Sequence, residues 1–186
     1  MPHFPQNLQK SIPKAIFLDR DGTLNVDYGY VFDPRKIHPI AGAREALEIF
    51  QKNNFFLFLF TNQPGIGRKM YKLEDVEACN RRLFRLLGNP HFLEICIATE
   101  TTHSPDNYRK PSPKFIDEMI GKYQLKRGEC HMVGDKETDA FAGLNAEIKG
   151  ILLESDYPRS PQCSELIGKG KISVFKDLLA FAKSIL

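Results

Sequence analysis

Short apolar runs alternate along this chain with longer segments of mixed polarity. Residues 15–18, 55–60, 93–98, 131–133, 150–153 and 172–174 are rich in Ile, Leu, Val, Phe and Ala, as strands buried on both faces are. Residues 42–53, 72–87, 113–123 and 138–144 carry apolar positions three and four apart, the spacing of one helix face. Pro113 suits a first helical turn, Gly88 follows the long second segment, and residues 175–186 read as a closing helix. The alternation predicts an α/β fold: a mostly parallel central sheet with helices on both faces, three layers in αβα order. Residues 25–40, 98–112 and 154–169 remain as long loops, where function tends to gather. There is no internal repeat or low-complexity tract.

At 186 residues the chain has the size of a single domain, enough to bury roughly 70% of its unfolded surface; residues 1–13 read as a flexible N-terminal segment. No apolar stretch reaches the roughly 20 residues of a membrane helix, and the polar opening lacks the apolar core of a signal peptide. Lys and Arg number 26 against 23 Asp and Glu, an excess too small to argue for nucleic acid or an anionic membrane as partner. Cys79, Cys96, Cys130 and Cys163 are scattered with no Cys-x-x-Cys pair, which fits reduced thiols and a cytoplasmic location.

The chemistry lies just past the apolar runs. The first runs into Asp19-Arg-Asp-Gly-Thr23, placing Asp19 and Asp21 where open α/β sheets bind ligands. Gly22 permits a turn there, and Thr23 with nearby amides can donate to phosphate oxygens. Alone, Asp-x-Asp-Gly fits an acidic turn equally well. The second run ends in Thr61-Asn62-Gln63, a set of neutral donors; Arg109-Lys110-Pro111 brings a lysine able to offset charge on an acid and an anion; and the fourth run ends on Asp135, with Asp139 four residues on. Asp19, Asp21 and Asp135 with a phosphate oxygen suffice for magnesium, a hard cation that keeps several waters. His3, His38, His91 and His131 are scattered, and His131 reads as a packed core residue.

Together the segments DRDGT, Thr61, Lys110 and GDKETD resemble, in order, the four motifs of the haloacid dehalogenase (HAD) superfamily of phosphohydrolases, which has a Rossmann-like sheet. The resemblance implies that Asp19 attacks phosphorus to form an aspartyl phosphate. Asp21 then protonates the leaving alkoxide and later activates water, while Thr61 and Lys110 bind the phosphoryl group. It also implies Mg2+ held by Asp19, Asp135 and the Asp21 backbone carbonyl.

The spacing between these motifs leaves no room for a large cap domain. The longer strings DRDGTLNVDYGYV, TNQPGIGR, YRKPSP and MVGDKETD are similar to the capless branch that holds heptose bisphosphate phosphatases and histidinol phosphatases. That likeness implies substrate contacts from Asp27, Tyr28, Gly29, Tyr30, Asn62, Gln63 and Arg109, the last suited to a second phosphate. Many members of the branch carry a zinc loop of three cysteines and a histidine before the Arg-Lys-Pro segment. Residues 98–108 hold no cysteine, so no structural zinc is expected. FTNQPGIGR and the following loop also resemble polynucleotide 3′-phosphatases, and Arg68, Lys69, Lys72, Arg81, Arg82 and Arg85 offer a basic face. Few aromatic residues interleave with them in sequence, which argues against unpaired bases as the substrate. The expected partner is a small phosphorylated molecule and, by fold analogy, the expected state is a monomer.

Overall fold

In the computed structural model of the chain, residues 13–104 and 106–185 are described, so the expected N-terminal segment lies almost wholly outside them. Six strands form one sheet: β1 (Lys14–Leu18), β2 (Phe55–Asn62), β3 (Phe92–Ala98), β4 (Cys130–Gly134), β5 (Lys149–Leu153) and β6 (Ile172–Phe175). Their order is β3-β2-β1-β4-β5-β6, and every adjacent pair is parallel. The helices are α1 (Ala43–Lys52), α2 (Pro64–Gly67), α3 (Leu73–Leu86), α4 (Lys114–Tyr123), α5 (Glu137–Asn145), α6 (Pro161–Gly168) and α7 (Leu178–Ser184).

Because side chains alternate across a strand, each continuous apolar run feeds two cores. Ile16, Leu18, Leu57 and Leu59 face α1, α3 and α7 through Leu47, Phe50, Cys79, Leu83 and Phe181. Ala15, Phe17, Phe58 and Phe60 face α4 and α5 through Phe115, Ile116, Met119 and Ala142. Phe17 stacks on Phe58 with ring centroids 4.7 Å apart and meets Phe115 edge-on at 6.0 Å. Burying each such ring contributes on the order of 1.5–3 kcal/mol, so β1 and β2 are fixed firmly beneath the loops they carry.

β1 lies between β2 and β4, and the order of strands reverses there. In an open parallel sheet this switch leaves a crevice beyond the carboxyl ends of the two central strands. Asp19 and Asp135 follow those two ends directly, and the Asp19 N–H donates to the Val133 carbonyl at 3.0 Å.

Two expectations need correction. The stretch 154–169 contains α6, which starts where the Ser160 hydroxyl accepts the Cys163 N–H at 3.2 Å and Pro161 opens the first turn. The closing helix begins at Leu178 rather than 175, because Phe175 completes β6 and Asp177 caps the helix by accepting the Ala180 N–H at 2.7 Å. Between Thr23 and Thr61 lie only loop, a short 3-10 turn (Pro34–Lys36), α1 and most of β2, so no large cap is inserted there. Among the described residues no helix is long and apolar enough to cross a membrane.

Candidate active site

Asp19 (6% exposed) and Asp135 (3%) meet across the switch point, and Asp139 (1%) rises from the first turn of α5 beside them. One carboxylate oxygen from each lies within 4.8 Å of the others. Gly22 sits above this cluster at φ +86°, and a Cβ there would fall 2.1 Å from Asp135 Oδ2. Only glycine meets both demands.

Lys110 reaches into the cluster from the loop before α4. Its Nζ lies 2.8 Å from Asp19 Oδ1 and 2.6 Å from Asp139 Oδ1, and it donates to the Phe60 carbonyl at 2.7 Å. Burial favours the neutral amine, but Asp139 and Asp19 outweigh it and hold the lysine charged. Asp139 uses its other oxygen to accept the Lys136 N–H at 3.0 Å, capping α5. One side chain therefore fixes both the helix and the lysine.

The Lys110 backbone is fixed as well. Its N–H donates to Asn62 Oδ1 at 3.0 Å, and the Asn62 amide returns a bond to the Lys110 carbonyl at 3.2 Å. Asn62, which also lines the pocket, thus holds the Lys110 main chain. Gln63 is similarly engaged: its Nε2 donates to Asp21 Oδ2 at 3.1 Å and Thr61 Oγ1 at 3.0 Å, and its Oε1 accepts from the Tyr71 hydroxyl at 3.0 Å.

The Asp21 carboxylate is not one of the clustered Asp19–Asp135–Asp139 carboxylates. It faces Arg20, Asn25 and Gln63 instead. Burial raises its pKa, partly opposed by Arg20, so it keeps a proton more readily than an ordinary aspartate.

A pocket of about 390 Å³ opens over these groups, and of the expected site residues Asp19, Asp21, Asp27, Gly29, Tyr30, Thr61, Asn62, Gln63, Arg109 and Lys110 line it. Tyr28 is 59% exposed, turns edge-on to His38 and is not part of the wall. Lys136 and Tyr157 also line the pocket, and sequence reading missed both. Lys136 Nζ lies 2.8 Å from Asp27 Oδ2 and over the Tyr157 ring, whose hydroxyl donates to the same oxygen at 2.9 Å. Burial alone would raise Asp27; Lys136, the Gly29 N–H and Tyr157 together hold it low. The Arg109 guanidinium donates to the Glu100 carbonyl at 3.1 Å and keeps further N–H groups at the wall.

The donor set fits a divalent, oxygen-seeking cation. Asp135 Oδ1 is buried with no hydrogen-bond partner, and burial with the charge of Asp19 pushes the Asp135 carboxyl up to about 8. An orphaned buried carboxylate oxygen beside a second acid is what a hard cation satisfies.

A doubly wound parallel sheet with this acid–lysine cluster at its switch point defines a HAD-type hydrolase. The HAD-hydrolase-like family model matches residues 107–180. The D-glycero-beta-D-manno-heptose-1,7-bisphosphate 7-phosphatase of Helicobacter pylori (strain ATCC 700392 / 26695) is 38% identical over 78% of this chain and 86% of its own. A D-glycero-alpha-D-manno-heptose-1,7-bisphosphate 7-phosphatase of Burkholderia mallei is 34% identical over 79% and 82%. The crystal structure of a D,D-heptose 1,7-bisphosphate phosphatase from B. bronchiseptica, complexed with magnesium and phosphate, shares the fold at TM-score 0.78. It is 23% identical and covers 92% of this chain and 97% of its own. The chain is a phosphatase and belongs to the HAD family that these heptose bisphosphate phosphatases represent.

Proposed function

We propose that this phosphatase hydrolyses a D-glycero-D-manno-heptose 1,7-bisphosphate at its 7-phosphate, through an aspartyl phosphate on Asp19 and with Mg2+. The observation that carries the chemistry is Asp19 buried at the switch point, with Lys110 at 2.8 Å and the unpartnered Asp135 oxygen beside it. Asp19 attacks phosphorus; Lys110 and Thr61 hold the phosphoryl oxygens; Asp21, whose burial favours a proton, protonates the departing alkoxide and then accepts a proton from water. Asp19, Asp135 and the Asp21 backbone carbonyl would hold the magnesium, with Asp139 fixing Lys110. When bound, the metal offsets repulsion between the Asp19 carboxylate and the phosphate.

The relatives support the substrate, and so do other residues that line the pocket. Arg109 and Lys136 suit the second phosphate of a bisphosphate, and Asp27, Gly29 and Tyr30 suit sugar hydroxyls. Asn62 and Gln63 hold Lys110, Thr61 and Asp21 and also line the pocket, where they suit substrate oxygens. The loop 98–108 is tied by hydrogen bonds: Glu100 accepts the Tyr108 N–H at 2.9 Å and Asn107 donates to the Thr102 carbonyl at 2.9 Å. That wiring supports a loop working without zinc. We also propose a single catalytic domain that works as a monomer.

The test is magnesium-dependent phosphate release from the alpha and beta heptose bisphosphates, histidinol phosphate, other sugar phosphates and a 3′-phosphorylated oligonucleotide. The highest kcat/KM on a heptose bisphosphate is expected, and its anomer would be assigned at the same time. A preference for the oligonucleotide would move the function to nucleic-acid ends. One observation favours keeping that arm: the exposed Tyr30 and Phe32 gather on Tyr71, which lines the pocket, and Arg68 donates to the Tyr30 hydroxyl.

A further inference from the structure

Arg20, the residue between the two aspartates of the first motif, has the largest fully buried side chain described, at 0% exposure. It takes no part in the chemistry above and does not line the pocket. Its Nε and Nη2 donate to Asp21 Oδ2 at 2.9 and 2.6 Å, its Nη2 also to the Val31 carbonyl at 3.1 Å, and its Nη1 to Asn80 Oδ1 on α3 at 3.2 Å. Gln63 adds a third donor to Asp21 Oδ2 at 3.1 Å, whereas Oδ1 receives one N–H, from Asn25 at 3.0 Å.

A carboxylate oxygen has two lone pairs, so three donors saturate Oδ2 and leave the free acceptor position on Oδ1. We propose that Arg20 is a positioning residue for the proton donor: it locks Oδ2 of Asp21, presents Oδ1 as the single proton-carrying oxygen, and couples that acid to the substrate loop through Val31. The inference rests on the reading of Asp21 as proton donor given above. In the step concerned, the P–O bond to the leaving group breaks as Asp19 bonds to phosphorus, and the electron pair of that bond stays on the leaving oxygen. That oxygen takes the proton from Asp21 Oδ1, and the carboxylate left behind is held by the guanidinium.

A fully buried arginine paired to one acid is also a packing element, so the test must separate packing from proton delivery. Acid catalysis matters for an alkoxide leaving group and little for nitrophenolate, which departs unprotonated. In Arg20→Lys, which keeps the charge and loses the fork, kcat/KM on the best-hydrolysed sugar phosphate should fall about 100-fold, the lower end of a general-acid contribution. On p-nitrophenyl phosphate it should fall much less. Asn80→Ala leaves Arg20 in place but frees one arm, and should show a smaller split in the same sense. If Arg20→Lys does not fold, as judged by circular dichroism, the Asn80→Ala split decides. Equal losses on both substrates, or no loss on either, would overturn the proposal while leaving the phosphatase reading intact. Wild-type protein inactive on every phosphomonoester would instead remove that reading, and this inference with it.

Discussion

Asp135 carries the sharpest expectations at the scale of single residues. With its carboxyl pushed up to about 8, it is largely protonated in metal-free protein at neutral pH. Magnesium must then displace that proton, so its affinity should fall as pH drops below about 8, up to tenfold per unit, and binding at pH 7 should release close to one proton. Calorimetry in buffers of different ionisation enthalpy checks this; pH-independent affinity between 6 and 8 would contradict it. Asp135→Ala should weaken magnesium dependence and activity together. Asp19→Asn should abolish turnover, and an active variant would refute covalent catalysis. Asp19, Thr61, Lys110 and Asp135 were legible in the sequence because each follows an apolar run or a loop leading back to one. Arg20 was not, since it fills the variable place between two acids and nothing in the apolar pattern says that an arginine there is buried. Lys136 and Tyr157 were hidden for another reason: their meeting with Asp27 joins positions 109 and 130 residues apart.

At the scale of elements, β4 is where stability should respond to acid. His131 is 5% exposed and packs against Phe55 and Phe181. Burial, with the charges of Lys149 and Lys14, lowers its pKa from 6.5 to about 4. The unfolded chain therefore binds a proton between these values that the fold excludes. The stability this neutral imidazole contributes is present above pH 6.5 and is lost as pH falls toward 4, to a limit of about 3 kcal/mol. Urea unfolding at pH 7 and pH 5 should show a drop in wild type that is smaller in His131→Leu; an identical drop in both would contradict the assignment. Expectation and structure agree for the strands, because runs buried on both faces are distinctive. They part at α6, which is short, carries few apolar positions and is announced chiefly by Ser160-Pro161.

At the scale of the whole molecule, the parallel αβα sheet was readable from alternation, but the order β3-β2-β1-β4-β5-β6 comes from pairing across long separations. That order converts scattered motifs into one site. Purified protein should contain no stoichiometric zinc, and a zinc-selective chelator should leave Tm unchanged, whereas magnesium should raise Tm as any ligand of the folded state does. Zinc recovered at one per chain would contradict the proposed wiring of residues 98–108. The central claim, covalent phosphatase chemistry at Asp19, is tested most directly by rapid acid quench of enzyme turning over a heptose bisphosphate with magnesium, followed by peptide mass spectrometry. A single added phosphoryl group on Asp19 that appears and decays within turnover is the expected result. A chain that releases phosphate with no adduct on Asp19 at any quench time would contradict the account.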